Sequence, residues 1–303
     1  MSFSALNFSG VLYIVATPIG NLGDITLRAL EILKSVDKIL AEDTRESQKL
    51  LSYYGISKPM ISLHDHNELA RINLIEDLLN QNLKLALISD AGTPLISDPG
   101  YKLVKNLKDK NFNIIPIPGP SALIAGLSAS GLPTDRFMFL GFLPVKNKEK
   151  RECFEGLKNL NKLSSEMTVI FYESTHRLLD SLLVLEEILP DRKIVLAKEL
   201  TKQFEKIIAG VPKDILNWLK QDINFIKGEF VLMISPVIKE KKEENLGLEL
   251  EYPDLFKLLK ILLGYLSLKE AVSCAVKISG ENKNLVYKMA LLISGVSDDL
   301  KES

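Results

Sequence analysis

Between Val11 and about Leu132 the chain repeats one pattern: a short apolar run, an abrupt turn rich in polar residues, Gly or Pro, then a stretch of helical period. The apolar runs are Val11–Ala16, Lys38–Ala41, Lys84–Ser89 and Asn113–Ile117; after the first, Leu27, Leu30, Leu33 and Val36 recur at helical spacing. Continuous apolar runs of this length read as buried strands, and strands alternating with helices predict an α/β domain with a largely parallel sheet. The turns that follow the strands are then the places where such open sheets bind ligands.

A second α/β stretch runs from about Thr134 to Val237, with strands expected at Phe137–Phe142, Thr168–Tyr172, Lys193–Ala197 and Phe230–Ser235. The breaker cluster Gly131-Leu132-Pro133-Thr134 separates the two. Beyond Pro236 the mixed-charge run Lys239–Glu244 reads as a solvated linker. After it, Leu255, Leu258, Leu259, Leu262, Leu263 and Leu266 form one face of an amphipathic helix. Two shorter helices are expected to follow, parted by Ser279-Gly280-Glu281-Asn282, whose polar residues can cap the last one. The expected organisation is an α/β domain over 1–132, a second over 133–237, and a linker with a small helical module over 238–303.

A chain of 303 residues that is 46% hydrophobic can bury more than one core, so disorder is excluded and two or more domains are expected. A net charge of -1 excludes a uniformly basic nucleic-acid coat; any RNA binding has to be locally patterned. Cys153 and Cys274 lie far apart without CxxC spacing, which suggests neither a disulfide framework nor a zinc site and fits a reducing cytoplasm. Val11–Ala16 is stopped by Thr17-Pro18 and is far shorter than the roughly 20 apolar residues that span a bilayer, so no membrane segment is expected.

Three strand-end loops stand out. Thr17–Asp24 carries Gly20 and Gly23, which allow close approach of a ligand or another segment. Asp90–Gly100 holds two Asp, two Pro and two Gly, more than a turn needs; a carboxylate there can accept hydrogen bonds from ribose hydroxyls while Gly92 leaves room for a ligand. The structural alternative is that Asp90 and Asp98 cap turns. Pro116–Ala122 leads into an apolar helix whose start presents free N–H groups and the Ser121 hydroxyl. Convergence of all three loops on one sheet edge would form a crevice.

Charged groups also reach strand ends in Glu42-Asp43-Thr44-Arg45, in Glu173–Arg177 with His176, and in Lys198-Glu199. Mutual ion pairing is the economical structural explanation, although His176 can titrate near neutrality. His64-Asp65-His66 lacks a third ligand nearby, so no metal is expected. Lys146–Arg151 is the densest basic excess and suits either phosphate contacts or a solvated helix start.

The strings LYIVATPIGNLGDITLRALEIL, AEDTR, ISDAGTPLISDPGY, PIPGPSALIAGLSASGLPTDRFMFLGFLP, FYESTHRL, AKELTKQFE and GEFVLMI, in this order, resemble the RsmI family of 16S rRNA (cytidine-2'-O)-methyltransferases over roughly residues 11 to 235. Thr175 stands where the family's ESPHR string has Pro, which bears on the rigidity of that turn. The resemblance implies a two-domain tetrapyrrole methylase-like fold with S-adenosylmethionine in the cleft, usually as a homodimer. It also implies methylation of the ribose of a decoding-centre cytidine in 16S rRNA within the 30S subunit.

Carried over by motif, Ile19, Asp90, Gly92, Thr93, Leu95, Ser121 and Ala122 face the cofactor from the first domain, with Tyr172, Glu199 and Leu200 approaching from the second. Because a ribose hydroxyl is a weak acid, a base or a cation that stabilises the alkoxide would help. Glu199, Asp43 or His176 could be the base, and Lys198, Arg45 or Arg177 the cation. The rivals are a precorrin-type tetrapyrrole carbon methyltransferase, disfavoured because the strings are those of the rRNA branch, and a ribosome-assembly factor without catalysis.

Overall fold

The computed structural model describes residues 10–158, 166–237, 248–249 and 251–294. The chain divides into one compact unit up to Pro236 and another from Val237.

The first unit holds two five-stranded sheets. In the first, β1 (Val11–Val15), β2 (Lys38–Ala41), β3 (Met60–Ser62), β4 (Lys84–Ile88) and β5 (Asn113–Ile117) lie in the order β3-β2-β4-β1-β5, every pair parallel. The apolar runs are unbroken because both faces are covered. Leu85 and Leu87 enter one core with Ile75, Leu79, Leu103 and Leu107, while Ala86 and Ile88 enter the other with Ala29, Leu33 and Leu51. Fully burying a side chain of this size stabilises the fold by about 1.5–3 kcal/mol. The helices on these faces are α1 (Leu27–Ser35), α2 (Thr44–Tyr53), α3 (Glu68–Asn80) and α4 (Tyr101–Asp109). Strand β3, unforeseen from the sequence, is a three-residue edge too short to show a pattern.

The second sheet is mixed. Its strands β6 (Phe137–Phe142), β7 (Thr168–Ser174), β8 (Ile194–Lys198), β9 (Lys206–Gly210) and β10 (Glu229–Ile234) run in the order β6-β7-β10-β8-β9. Only β6 and β7 are parallel; β10 is antiparallel to β7 and β8, and β9 to β8. Helices α6 (Asn147–Lys158), α7 (Leu178–Ile188) and α8 (Pro212–Leu219) cover one face through Phe154, Leu182, Leu185, Leu216 and Leu219. The other face receives α5 (Ala122–Ala129), which follows β5 of the first sheet. Leu123 and Leu127 of α5 pack with Ile170, Val195, Val231 and Met233. The face of α5 that carries Leu123 and Leu127 therefore joins the two sheets within one chain, while Ile124 stays 50% exposed. The basic run Lys146–Arg151 is an internally compensated helix start: Lys146 pairs with Glu149, Lys148 with Glu152 and Arg151 with Glu187, while Lys150 is buried.

The second unit contains α9 (Pro253–Leu262), α10 (Leu268–Ser279) and α11 (Lys283–Ser294) around Leu255, Leu259, Val272, Ala275, Val286 and Met289. The two later helices are longer than α9, at 12 residues each against 10, contrary to expectation. The leucine stripe outlasts its helix because Ser267 and Glu270 form a capping box that starts α10, and Gly280, left-handed at φ 70°, stops it. Asn282 then accepts the N–H of Asn284 at 2.8 Å. The expected linker Lys239–Glu244 lies outside the described residues. Among the described residues no helix is long and apolar enough to cross a membrane.

Candidate functional site

Because the first sheet is parallel, the turns after β1, β4 and β5 emerge at one edge, and hydrogen bonds join them there. Thr17 and Gly92 exchange backbone bonds at 2.8 and 3.1 Å, and the buried Thr17 hydroxyl donates to the Ser89 carbonyl. The Thr93 hydroxyl donates to the Pro120 carbonyl at 3.1 Å. Gly92 sits at φ +79°, which L side chains rarely adopt, and a Cβ there would lie 3.3 Å from Ile19 Cγ2.

These loops form one wall of a cavity of about 530 Å³, within the range of small-molecule sites. The opposite wall comes from the second sheet, with Tyr172, Leu200 and Val231, and from the turn that carries Thr175 and His176. Tyr172 is fixed by accepting the Leu123 N–H at the start of α5, 3.2 Å away, and by edge contacts with Phe139 and Phe142. Burial pushes its phenol up. Leu95, Ser97, Glu199 and Thr201 all have positive φ, between 50° and 71°, in the two loops that face one another here. For such residues this conformation is costly, and such strain concentrates at functional sites.

Among the described residues the lining contains no lysine or arginine, and its unpaired carboxyls converge. Burial, then the charges of Asp90, Asp98 and Asp65, push Glu42 up to about 7. Burial likewise pushes Asp98 up to about 6 against the Ser89 hydroxyl that bonds it. Asp90 is raised by burial too, although it accepts the Asp43 N–H at 3.2 Å. Such a chamber favours ligands that bring positive charge and apolar surface. Among the described residues no group of His, Cys, Asp and Glu could hold a metal ion.

Of the cofactor-facing residues implied by resemblance, Ile19, Asp90, Gly92, Thr93, Ser121, Ala122, Tyr172 and Leu200 line this cavity. Leu95 instead packs against the core of the first sheet. Gly20 faces the second lobe: a Cβ there would be 2.4 Å from Lys202 Cγ, and the neighbouring Asn21 N–H donates to Thr201.

Of the candidate catalytic residues, only His176 lines the cavity. Asp43 caps α2 and is paired with Arg45 at 2.8 Å, a hydrogen-bonded contact that holds its carboxyl down at about 2. Arg177 is occupied by buried Glu173 at 3.0 Å and donates to the Leu143 carbonyl and the Ser174 hydroxyl. Glu199 accepts from Lys202 and from the Glu229 N–H, both at 2.9 Å. Burial raises its carboxyl, but these bonds and the nearby lysines outweigh that and hold it below its ordinary value. Both Lys198 and Glu199 border a neighbouring groove instead.

Sequence reasoning had not singled out Glu42, Phe142 or Thr175 for this cavity. The available signal was an acidic residue directly after strand β2, on the edge where the loops meet. Thr175, in place of the family's Pro, fixes its turn differently: its hydroxyl donates to the Gly228 carbonyl at 2.6 Å and accepts the Gly228 N–H at 2.8 Å.

The fold matches solved structures. The chain superposes on diphthine synthase with a TM-score of 0.58 at 15% identity, covering 75% of this chain and 90% of that one. On cobalt precorrin-4 methyltransferase the values are 0.53, 19%, 77% and 98%. The family model of tetrapyrrole (corrin/porphyrin) methylases matches residues 11–215, and that of the RsmI C-terminal HTH domain residues 252–294. Fold and site thus define a methyltransferase of the tetrapyrrole methylase class. Ribosomal RNA small subunit methyltransferase I from Pasteurella multocida is 47% identical over 94% of this chain and 98% of its own length; its Escherichia coli O157:H7 counterpart is 46% identical over 95% and 97%. The chain belongs to the family of these ribosomal RNA small subunit methyltransferases I.

Proposed function

We propose that the enzyme uses S-adenosylmethionine to methylate 16S rRNA of the small ribosomal subunit, at the ribose 2'-oxygen of a decoding-centre cytidine. The observation that carries this reading is a lysine-free, acidic cavity with a glycine cradle at Gly92, in a chain of this family. The residues suit the cofactor: the space at Gly92 would be filled by any Cβ, Ile19, Ala122, Leu200 and Val231 offer apolar surface, and Asp90 and Asp98 offer negative charge. When bound, S-adenosylmethionine supplies a methyl group already activated as a sulfonium.

The chain's own task is to align the hydroxyl and receive its proton. Glu42 is the group we assign to the proton, because its environment lifts it into the neutral range while Asp43 and Glu199 are held low by their partners. Tyr172 and Phe142 narrow the chamber and limit water beside the reacting oxygen. In this proposal residues 1–132 and 133–237 act as the two lobes of the catalytic unit, and the enzyme works in the cytoplasm.

The enzyme is further proposed to be a homodimer. With most of the apolar face of α5 packed within the chain, support comes from edge strand β6 and the turn after it, where Phe137, Leu140, Phe142 and Val145 are exposed. A monomeric mass by light scattering at micromolar concentration would reject that part.

Incubation with labelled S-adenosylmethionine and unmodified 30S particles, followed by nucleoside analysis, tests the reaction. The expected product is 2'-O-methylcytidine. A methyl on a base atom, transfer to a precorrin-type acceptor instead, or binding without transfer would each overturn the proposal.

A further inference from the structure

Beside the cavity, the β8–β9 strand pair and the residues around the turn Ile223–Ile226 enclose a groove of about 450 Å³. Lys198, Lys206, Lys227, Phe204 and Phe225 line it, and Gly228 borders both spaces. Lys198 and Lys206 are direct cross-strand partners, so two like charges share one face of the sheet, an arrangement that destabilises a bare protein. Lys198 is only 4% exposed, and the carboxylate its charge acts on, Glu199, already accepts from Lys202 and the Glu229 N–H. A largely buried cation that shares its counter-charge is costly.

The acids nearby neutralise the pair only in part. Glu199 is shared between Lys202, 2.9 Å away, and the charge of Lys198, and Asp222 accepts the Asn224 N–H at 2.8 Å. Lys206 lies 4.9 Å over the Phe225 ring, which stacks on Trp218 at 4.3 Å, so its ammonium is held in place. Lys227 donates to Asn224 at 3.1 Å. Phe204 stands 67% exposed beside these cations. A buried lysine facing an exposed, braced one, with a free aromatic ring alongside, matches the chemistry of a single-stranded nucleic acid: phosphate for the cations and a base for the ring.

Building on the proposed RNA methyl transfer, we infer that this groove holds the RNA strand next to the acceptor nucleotide, with Lys198 and Lys206 on a backbone phosphate and Phe204 against a base. Sharing Gly228 with the cavity places this subsite one residue from the chamber wall.

Exposed Lys206 can be reversed without opening the core. Lys206→Glu would set a carboxylate opposite Lys198 and satisfy it internally. In the full-length protein this variant should melt about 2 °C higher than the wild type. Its affinity for a fluorescein-labelled oligocytidylate of about eight nucleotides should show a salt slope shallower by about 1.4, as expected when two lysines no longer neutralise phosphates of a single strand. KM for 30S particles should rise about tenfold with kcat within about twofold, a loss of binding rather than of chemistry. Lys198→Gln should shift KM and slope in the same direction.

Unchanged slope and KM would overturn the inference. So would a fall in kcat at constant KM, which would put these lysines at the reacting atoms. Displacement of the oligonucleotide by inorganic phosphate at equal concentration would reduce the groove to a simple anion site and also overturn it. If the wild type binds the oligonucleotide through these lysines yet transfers no methyl to particles, the groove stands and the proposed reaction falls.

Discussion

Glu42 is displaced far from its solution behaviour, and its pH dependence has two opposite consequences. With a folded value of about 7 against an ordinary 4.5, its contribution to stability is fully present below about pH 4.5 and is lost as pH rises through about 7. Glu42→Gln should therefore match the wild type in thermal melts at pH 4 and exceed it at pH 8. Activity runs the other way, since a base must be ionised: methyl transfer by the wild type should rise with pH through about 7, and Glu42→Gln should lose about 100-fold in kcat together with that rise. A rate profile unchanged by the substitution would remove Glu42 from the proton path. At Gly92 the expectation is steric. Gly92→Val must strain a φ of +79° and press on Ile19, so calorimetry on the folded variant should find S-adenosylmethionine binding at least tenfold weaker. Gly92 and Asp90 were legible because their loop is denser in Gly, Pro and Asp than a turn requires. Glu42 was not, because its chemistry arises from burial and then from Asp90, Asp98 and Asp65, brought together by two other segments of the chain.

Among the elements, the loops were legible as places and less so as partners. The four foreseen strands of the first sheet could be read because strands buried on both faces leave unbroken apolar runs. β3 and β9 escaped because edge strands need no such run, and β9 begins with exposed Lys206. The mutual engagement of Asp43 with Arg45, and of Arg177 with Glu173, depends on side-chain directions that spacing alone does not reveal. Thr175 illustrates the same limit: the missing Pro was visible, but its replacement by two hydrogen bonds to Gly228 was not. Those bonds hold Gly228 where a Cβ would lie 2.5 Å from Glu199 Cγ, so the turn, β10 and the β8–β9 loop are braced as one. Thr175→Val keeps the shape and removes both bonds. It should cost about 1–3 kcal/mol in denaturant unfolding and raise KM for cofactor and particle together. A variant of unchanged stability would mean that the brace is dispensable.

At the scale of the molecule, the cavity and the groove both fall in one of the two compact units. Every described residue that lines the acidic cavity or the lysine groove belongs to the unit ending at Pro236. The unit from Val237 has its own apolar core around Leu259 and Met289 and matches the RsmI C-terminal HTH domain over 252–294. Its Lys269, Lys277, Lys283 and Lys288 are the cations that we propose assist phosphate binding there, a supply too modest to bind alone. A protein ending at Val237 should therefore unfold cooperatively and bind S-adenosylmethionine with the affinity of the full chain, because no group that shapes the cavity has been removed. If the deleted lysines position the particle as proposed, methylation of 30S particles should fall mainly through KM, since the reacting groups stay in place. Loss of cofactor binding in a folded truncated protein would make the helical unit part of the catalytic core. Full-rate methylation at limiting particle concentration would deny it any part in substrate engagement.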